Sequence, residues 1–68
     1  MRQVYMRQLK LWRERRGLSQ ADLGRLAGCS DAFISMLERG KKSGSLDTLE
    51  RLASILNVST DQLLGDRH

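Results

Sequence analysis

The sequence predicts an all-α fold in a single domain spanning residues 1-68. It contains no proline, and no stretch alternates apolar with polar residues as a half-buried strand would. Apolar residues instead recur at helical spacing between glycines and the capping residues serine and aspartate. Only three residues are aromatic, so the twelve leucines must fill most of the core. A chain of this length is too short for a barrel or a doubly wound α/β sheet with its own catalytic cleft.

The first helix is predicted from one apolar stripe. Tyr5, Leu9 and Trp12 follow each other at spacings of four and three residues, and Gly17 ends the helix. Leu11 lies off this stripe, so we expect its side chain to be exposed.

The second helix is predicted to begin after Ser19, which has the form of an N-cap with Asp22 in the first turn. It ends at Gly28, where the turn needs a positive φ. Three residues are expected on its buried side: Leu23, Leu26 and Ala27.

The third helix follows after only two residues, because Ser30 is already its N-cap. Ile34 and Leu37 are expected to face inward, and Gly40 ends the helix. Such a short connection predicts a sharp crossing between the second and third helices.

Two further helices complete the prediction. Ser45 caps a fourth helix that Asn57 ends. Ser59 and Gln62 have the form of a capping box for a short fifth helix, which Gly65 ends. The apolar residues assigned to the fourth helix are Leu46, Leu49, Leu52, Ala53, Ile55 and Leu56.

Gly24 lies in the middle of the second helix, where glycine costs about 1 kcal/mol relative to alanine. We therefore expect the third helix to cross so closely at this point that a larger side chain would not fit. The neighbouring Cys29 is expected to be a small buried apolar residue rather than a reactive thiol.

Residues 5–64 contain an ordered series of short motifs: Gly17-Leu18-Ser19-Gln20, Leu23-Gly24, Leu26-Ala27-Gly28, Ile34-Ser35, Leu37-Glu38-Arg39-Gly40-Lys41, Leu49, Leu52-Ala53, Leu56-Asn57-Val58-Ser59 and Leu63-Leu64. In these motifs the chain closely resembles the Cro/C1-type (XRE-like) helix-turn-helix family of phage repressors and bacterial regulators. The resemblance implies a compact five-helix lambda-repressor-like DNA-binding domain. It also implies that the helix-turn-helix motif, at about 20-39, places the third helix, residues 31–39, in the major groove of double-stranded DNA.

The resemblance also implies contacts with the DNA backbone. Gln20 and the amides at the start of the second helix match a phosphate contact, and Lys41 and Lys42, with Arg39, match a second one. The alternatives are that Gln20 is only the first residue of a helix and that the two lysines form a solvated turn.

Bases are expected to be contacted from the third helix. Its candidate face lacks Gln, Asn and Arg, the usual bidentate readers of adenine and guanine, so the target sequence stays open. Asp31 either accepts from a cytosine amino group or stabilises the positive end of the helix. Apolar contacts with thymine methyls and DNA deformability are expected to carry much of the specificity. The candidate residues are Ser30, Asp31, Ala32, Phe33, Ser35 and Met36.

Arg13 and Glu38 match family positions that form a partly buried ion pair between the first and third helices. Such a pair is expected to fix the third helix rather than to add net stability.

The resemblance further implies a homodimer on a palindromic operator. Its interface candidates, Val58, Leu63 and Leu64, have the alternative of packing inside one chain.

The net charge of +4 also favours a polyanionic partner. Residues 1–16 hold six basic residues and one glutamate, whereas residues 17–68 hold six basic and seven acidic residues. Arg2 and Arg7 either reach DNA as a basic arm or only keep the chain soluble. The sequence leaves this choice open.

The leading interpretation is a sequence-specific DNA-binding transcriptional regulator, such as a repressor, a restriction-modification controller or an antitoxin-like autoregulator. The alternative is a protein-interaction module that binds another protein through Ala32, Phe33 and Met36. Salt separates the two, because phosphate contacts weaken steeply with ionic strength and an apolar interface does not.

Enzymatic activity is not expected. The only histidine is His68, and no pair of carboxylates has the spacing of an acid-base site. Metal-ligand clusters, phosphate-cradling loops and membrane-spanning runs are also missing from the sequence, so no cofactor, metal, small-molecule substrate or membrane partner is expected. A single cysteine and the lack of a secretory signal predict a cytoplasmic protein.

Overall fold

The computed structural model describes residues 3–65, and within them it has five helices and one small sheet. The predicted all-α class with five helices is confirmed. The helices are α1 (Leu9–Arg15), α2 (Gln20–Ala27), α3 (Asp31–Glu38), α4 (Leu46–Leu56) and α5 (Thr60–Leu64), and the strands are β1 (Gln3–Val4) and β2 (Gly44–Ser45).

Serine side chains start four of the five helices at the predicted positions. Each hydroxyl accepts the backbone N–H of the residue three positions on, which satisfies one of the unpaired donors of a helix start. The predicted turn is present, because α2 ends at Gly28 in the left-handed conformation and α3 begins two residues later. The N-caps are Ser19, Ser30, Ser45 and Ser59.

The core lies between the helices and draws at least one side chain from each of them. Most of these side chains are leucines, as the composition predicts. α4 packs against α2 and α1 packs against α3, while α5 packs against α1 and α4. The buried residues are Met6, Leu9, Leu23, Ala27, Ile34, Leu37, Leu49, Leu52, Ala53, Leu56 and Leu63.

The prediction that Tyr5 belongs to the apolar stripe of the first helix is wrong. α1 begins only at Leu9, and Tyr5 is 56% exposed, whereas the neighbouring Met6 is buried. The reason is the sheet, in which Val4 pairs with Gly44 in an antiparallel register. Residues paired in a strand cannot continue a helix, and a strand of two residues is too short to show alternation in the sequence.

Leu26 was expected on the buried side of α2, and that expectation is also wrong, because 59% of it is exposed. The buried face of α2 consists of Leu23, Gly24 and Ala27. At 100° per residue, Leu26 lies about 100° around the helix from the middle of that face. The Gly24 side of α2 meets the turn that leads into α3, so Leu26 faces solvent.

The close approach at Gly24 exists, but the neighbour is the turn and not the body of α3. A Cβ at position 24 would lie 2.7 Å from the carbonyl oxygen of Cys29 and 3.1 Å from the carbonyl carbon of Ser30. The Cys29 N–H donates to the Gly24 carbonyl at 2.8 Å, which holds the turn in this place. Cys29 itself is half-buried, and this burial raises the pKa of its thiol.

The substitution Gly24→Ala tests this contact. Helix propensity alone favours alanine by about 1 kcal/mol. We nevertheless expect a lower melting temperature by circular dichroism, because the added Cβ meets backbone atoms that cannot move away cheaply. Glu50→Ala compared with Glu50→Gly, at an exposed position inside α4, measures the propensity contribution alone. A melting temperature raised by Gly24→Ala would contradict the steric argument.

Candidate nucleic-acid interface

α3 presents one side to solvent along its whole length. Ile34 and Leu37 lie in the core, so the opposite side of the helix faces outward. Ala32, Met36 and Arg39 are exposed and follow each other at spacings of four and three residues, which places them on one face. We call this surface the outer face of α3.

The remaining α3 candidates surround the outer face with different exposure. Asp31 is exposed and is the first residue of the helix, where a carboxylate favours the positive helix end. The Ser30 hydroxyl accepts the Phe33 N–H at 3.0 Å, so its lone pairs are partly used by the cap. Ser35 is half-buried, and Phe33 packs against the core and offers only part of its ring.

Positive charge gathers at the C-terminal end of α3. The backbone N–H groups of Lys41 and Lys42 donate to the Met36 carbonyl at 2.9 and 3.3 Å, so the turn folds back onto the helix. Both lysine side chains and Arg39 are exposed, and within residues 3–65 none of the three forms an ion pair. Cations at this end also interact favourably with the helix dipole.

Arg13 and Glu38 form the expected kind of ion pair, which joins α1 to the last residue of α3. The Arg13 Nε donates to Glu38 Oε2, and Nη2 donates to Oε1 at 3.2 Å. A third donor, Nη1, binds the Leu18 carbonyl at 2.7 Å. The Arg13 side chain is 10% exposed and that of Glu38 is 2% exposed. The hydrogen bonds that Arg13 donates to Glu38 raise the pKa of Arg13, because they favour its charged guanidinium.

Gln20 has a partner that the sequence does not indicate. Its Nε2 donates to Glu38 Oε1 at 3.0 Å, so the same carboxylate holds both Arg13 and Gln20. An amide nitrogen carries two hydrogens, which leaves one N–H of Gln20 for another acceptor. Residues 20 and 38 are 18 positions apart on different helices, and no local pattern links them.

The start of α2 combines this side chain with free backbone amides. The Asp22 N–H donates to the Ser19 hydroxyl at 2.9 Å, and the Ser19 N–H donates to the Asp22 carboxylate at 3.1 Å. That second bond, together with a hydrogen bond from Arg25, lowers the pKa of Asp22. The N–H groups of Gln20 and Ala21 have no acceptor within the helix, as at any helix start, and are available to an anion.

Not all of the N-terminal basic residues are free for a ligand. The Arg16 Nε donates to the Leu56 carbonyl at 2.7 Å and so caps the end of α4, while its guanidinium lies 5.5 Å from the centroid of the Trp12 ring. The sequence analysis assigned no structural role to Arg16. Arg2 lies outside the described residues.

The three dimer candidates differ in accessibility. Leu63 is fully buried and packs inside this chain, so its side chain offers no surface to a partner. Val58 and Leu64 are half-buried and lean against the core. Only these two candidates keep accessible apolar area near α5.

Within the described part of the chain, no three His, Cys, Asp or Glu side chains come together as metal ligands. None of the helices described between residues 3 and 65 has the length and apolar character that crossing a bilayer requires.

Single substitutions test the Arg13–Glu38 pair. Removing one member of a buried pair typically costs about 3–5 kcal/mol. We expect Glu38→Ala to lower the melting temperature more than Arg13→Met, because the first change deprives both Arg13 and Gln20 of their acceptor. Thermal unfolding followed by circular dichroism measures the difference. Equal melting temperatures for the two variants would remove the idea that Glu38 serves two donors.

The comparisons with known proteins agree with this geometry. Residues 6–64 match the model of a family described as "Helix-turn-helix domain". The HTH-type transcriptional regulator SinR of Bacillus subtilis is 31% identical over 61 residues, which cover 88% of this chain and 55% of SinR. The chain thus spans about half the length of this curated relative.

Solved structures give the same result. The P22 c2 repressor protein, in complex with synthetic operator 9T, has a TM-score of 0.82 at 32% identity, over 96% of this chain and 100% of that one. SinR in complex with DNA has a TM-score of 0.79 at 29% identity, over 90% of this chain and 98% of that one. Transcription regulators of this kind are not a class of enzymes. The chain belongs to the helix-turn-helix domain family and, within it, to the Cro/C1-type (XRE-like) group.

Proposed function

We propose that the protein is a sequence-specific DNA-binding transcriptional regulator that inserts α3 into the major groove. The observation that carries the proposal is that anion-binding groups lie beside the exposed outer face of α3. The amides and Gln20 at the start of α2 provide one set of anion-binding groups. The Arg39, Lys41 and Lys42 side chains provide another at the C-terminal end of α3, where Glu38 also binds Gln20. Two such sets of groups beside one exposed helix suit contacts with the phosphate backbone that borders a groove.

Gln20 is proposed to donate its second amide N–H to a phosphate. Glu38 already holds the first one, so the side chain does not have to be ordered when DNA binds. A contact that is arranged in advance loses less conformational entropy on binding. Lys41 and Lys42 would contact the backbone as point charges, without sequence preference.

Base recognition is proposed to use Asp31, Ala32, Ser35 and Met36. Ala32 and Met36 are exposed apolar side chains of the kind that meet thymine methyl groups, and Ser35 can bind several bases. Phe33 contributes only from its edge, because most of its ring packs on the core. With so few bidentate donors on this face, DNA shape and deformability carry part of the selectivity.

A homodimer is proposed as the functional form. One recognition helix contacts too few base pairs for high specificity, and two copies read half-sites about 34 Å apart, or a multiple of that distance. Val58 and Leu64 are the accessible part of the proposed interface at α5, with Leu63 packed beneath them. A palindromic operator and a cytoplasmic location belong to the same proposal.

The alternative function is a protein-interaction module in which the outer face of α3 binds another protein. It draws on the exposed apolar side chains of Ala32 and Met36. Its interface would be largely apolar, so its affinity would respond little to salt, which separates it from DNA binding.

Selection of bound duplexes from a random pool, followed by a salt series on the enriched duplex, tests the proposed function. We expect an enriched palindrome whose affinity falls with salt at a log–log slope of about −0.9 per phosphate contacted. An asymmetric enriched site would remove the dimer from the proposal. The absence of any enriched duplex would favour the protein-interaction alternative.

Three variants separate backbone contacts from base contacts. Gln20→Ala and Lys42→Ala should weaken binding to all duplexes about equally, since phosphates carry no sequence information. Ala32→Arg should change which duplex is preferred, because it places a bidentate donor on the outer face of α3. Binding is measured on the enriched duplex and on single-base variants of it. An unchanged preference for Ala32→Arg would place α3 outside the groove.

A further inference from the structure

A cleft of about 230 Å³ lies beside the C-terminal end of α3. One wall is formed by residues 5–7, which precede α1, and the other by residues 37–40. We call residues 5–7 the strap, and the space between them and the end of α3 the strap cleft. It is smaller than the roughly 300–1,000 Å³ of a typical small-molecule site, so it suits one small chemical group rather than a whole cofactor.

The strap is fixed at both ends. Before it, β1 pairs with β2, which places Val4 opposite Gly44. Within it, Met6 is buried in the core. After it, the Gln8 N–H donates to the Leu63 carbonyl at 2.9 Å. Tyr5 and Arg7 therefore project from an anchored segment and not from a loose arm.

The charge of the strap cleft is positive. Arg7 and Arg39 both line it and are exposed, and among the described residues neither has an ion-pair partner or a side-chain hydrogen bond. One carboxylate, that of Glu38, also lines it. Both of its oxygens already accept from Arg13, one of them also from Gln20, and its side chain is only 2% exposed. Two guanidinium groups beside a carboxylate that already has its own counterion favour an anionic occupant.

The position of the cleft indicates which anion this is. Arg39 belongs both to the cleft and to the outer face of α3, so the two surfaces are continuous. The Lys41–Lys42 turn adjoins the same helix end through the Met36 carbonyl. A ligand lying along the outer face of α3 would therefore present its next charged group at the strap cleft.

We propose that the strap cleft binds a backbone phosphate of the DNA duplex that α3 contacts. Arg7 and Arg39 donate to the phosphate oxygens, and Tyr5, which also lines the cleft and is 56% exposed, offers its hydroxyl as a further donor. The inference rests on the proposed function and extends it, because it assigns Arg7 to the interface and explains why the chain before α1 is anchored beside α3.

A comparison of Arg7→Ala with Lys10→Ala in the full chain tests the proposal. Both variants remove one exposed positive charge that has no ion-pair partner among residues 3–65, but Lys10 lies on α1 and does not line the cleft. With the enriched duplex, we expect Arg7→Ala to weaken binding about tenfold, as for loss of a charge-assisted hydrogen bond. The magnitude of the salt slope should fall by about 0.9. Lys10→Ala should leave the slope unchanged and weaken binding far less.

Two further variants sharpen the result. Arg7→Gln keeps the length of the side chain without its charge and should lose the same slope, which guards against a folding defect specific to alanine. Tyr5→Phe removes one uncharged donor, so it should weaken binding modestly and leave the slope unchanged. Unchanged melting temperatures for both variants would show that these effects arise in the complex.

The outcomes separate this inference from the proposed function. Equal effects of Arg7→Ala and Lys10→Ala, with salt-dependent duplex binding by the unaltered protein, overturn the strap cleft as a phosphate site and leave the proposed function standing. If the unaltered protein binds no duplex in a salt-dependent way, both are overturned.

Discussion

The rest of the interface depends on the Glu38 carboxylate. It lies at the end of α3, is almost fully buried, and accepts hydrogen bonds from Arg13 on α1 and Gln20 at the start of α2. Three helices are thus tied together at one point. A buried pair of this kind is weak evidence for net stability, because the desolvation of both charges offsets their attraction. Its physical effect is geometric. It fixes the tilt of α3 relative to the first turn of α2, and it orders the Gln20 side-chain amide before any ligand binds.

The second constraint is the missing side chain at position 24. The carbonyl of Cys29 occupies the space of a Cβ, so α2 and the turn before α3 approach more closely than any other residue would allow. The Gly24 contact sets how near the two helices lie, and the Glu38 bonds set how one is rotated against the other. Together they leave Ala32, Met36 and Arg39 on a side of α3 that no other element between residues 3 and 65 covers.

The sequence predicted the features that neighbouring residues decide, and it missed those that depend on contacts between distant parts of the chain. The four serine caps and the Gly28 turn are visible in the sequence, because each is decided within four residues. The exposure of Leu26 is not, since it depends on which side of α2 meets α3. The Gln20–Glu38 hydrogen bond and the strap cleft join residues far apart in the chain. The family resemblance supplied the Arg13–Glu38 pair, but composition alone overstated the charge that is free for a ligand, because Arg16 caps α4.

The absence of a side chain at Gly44 has a consequence for the whole N-terminal segment. β1 and β2 pair over only two residues, which lie about 40 positions apart in sequence, so the ladder itself offers little to offset the entropy of closing that loop. The terminal methyl carbon of Met6 lies 2.7 Å from the point where a Cβ of residue 44 would be. Burial of this methionine, together with the Gln8–Leu63 hydrogen bond that follows it, helps to hold the ladder closed. A Cβ at position 44 would meet this flexible end of Met6, which would have to move aside, so the bare glycine lets the methionine fill the space beside the turn that carries Lys41 and Lys42.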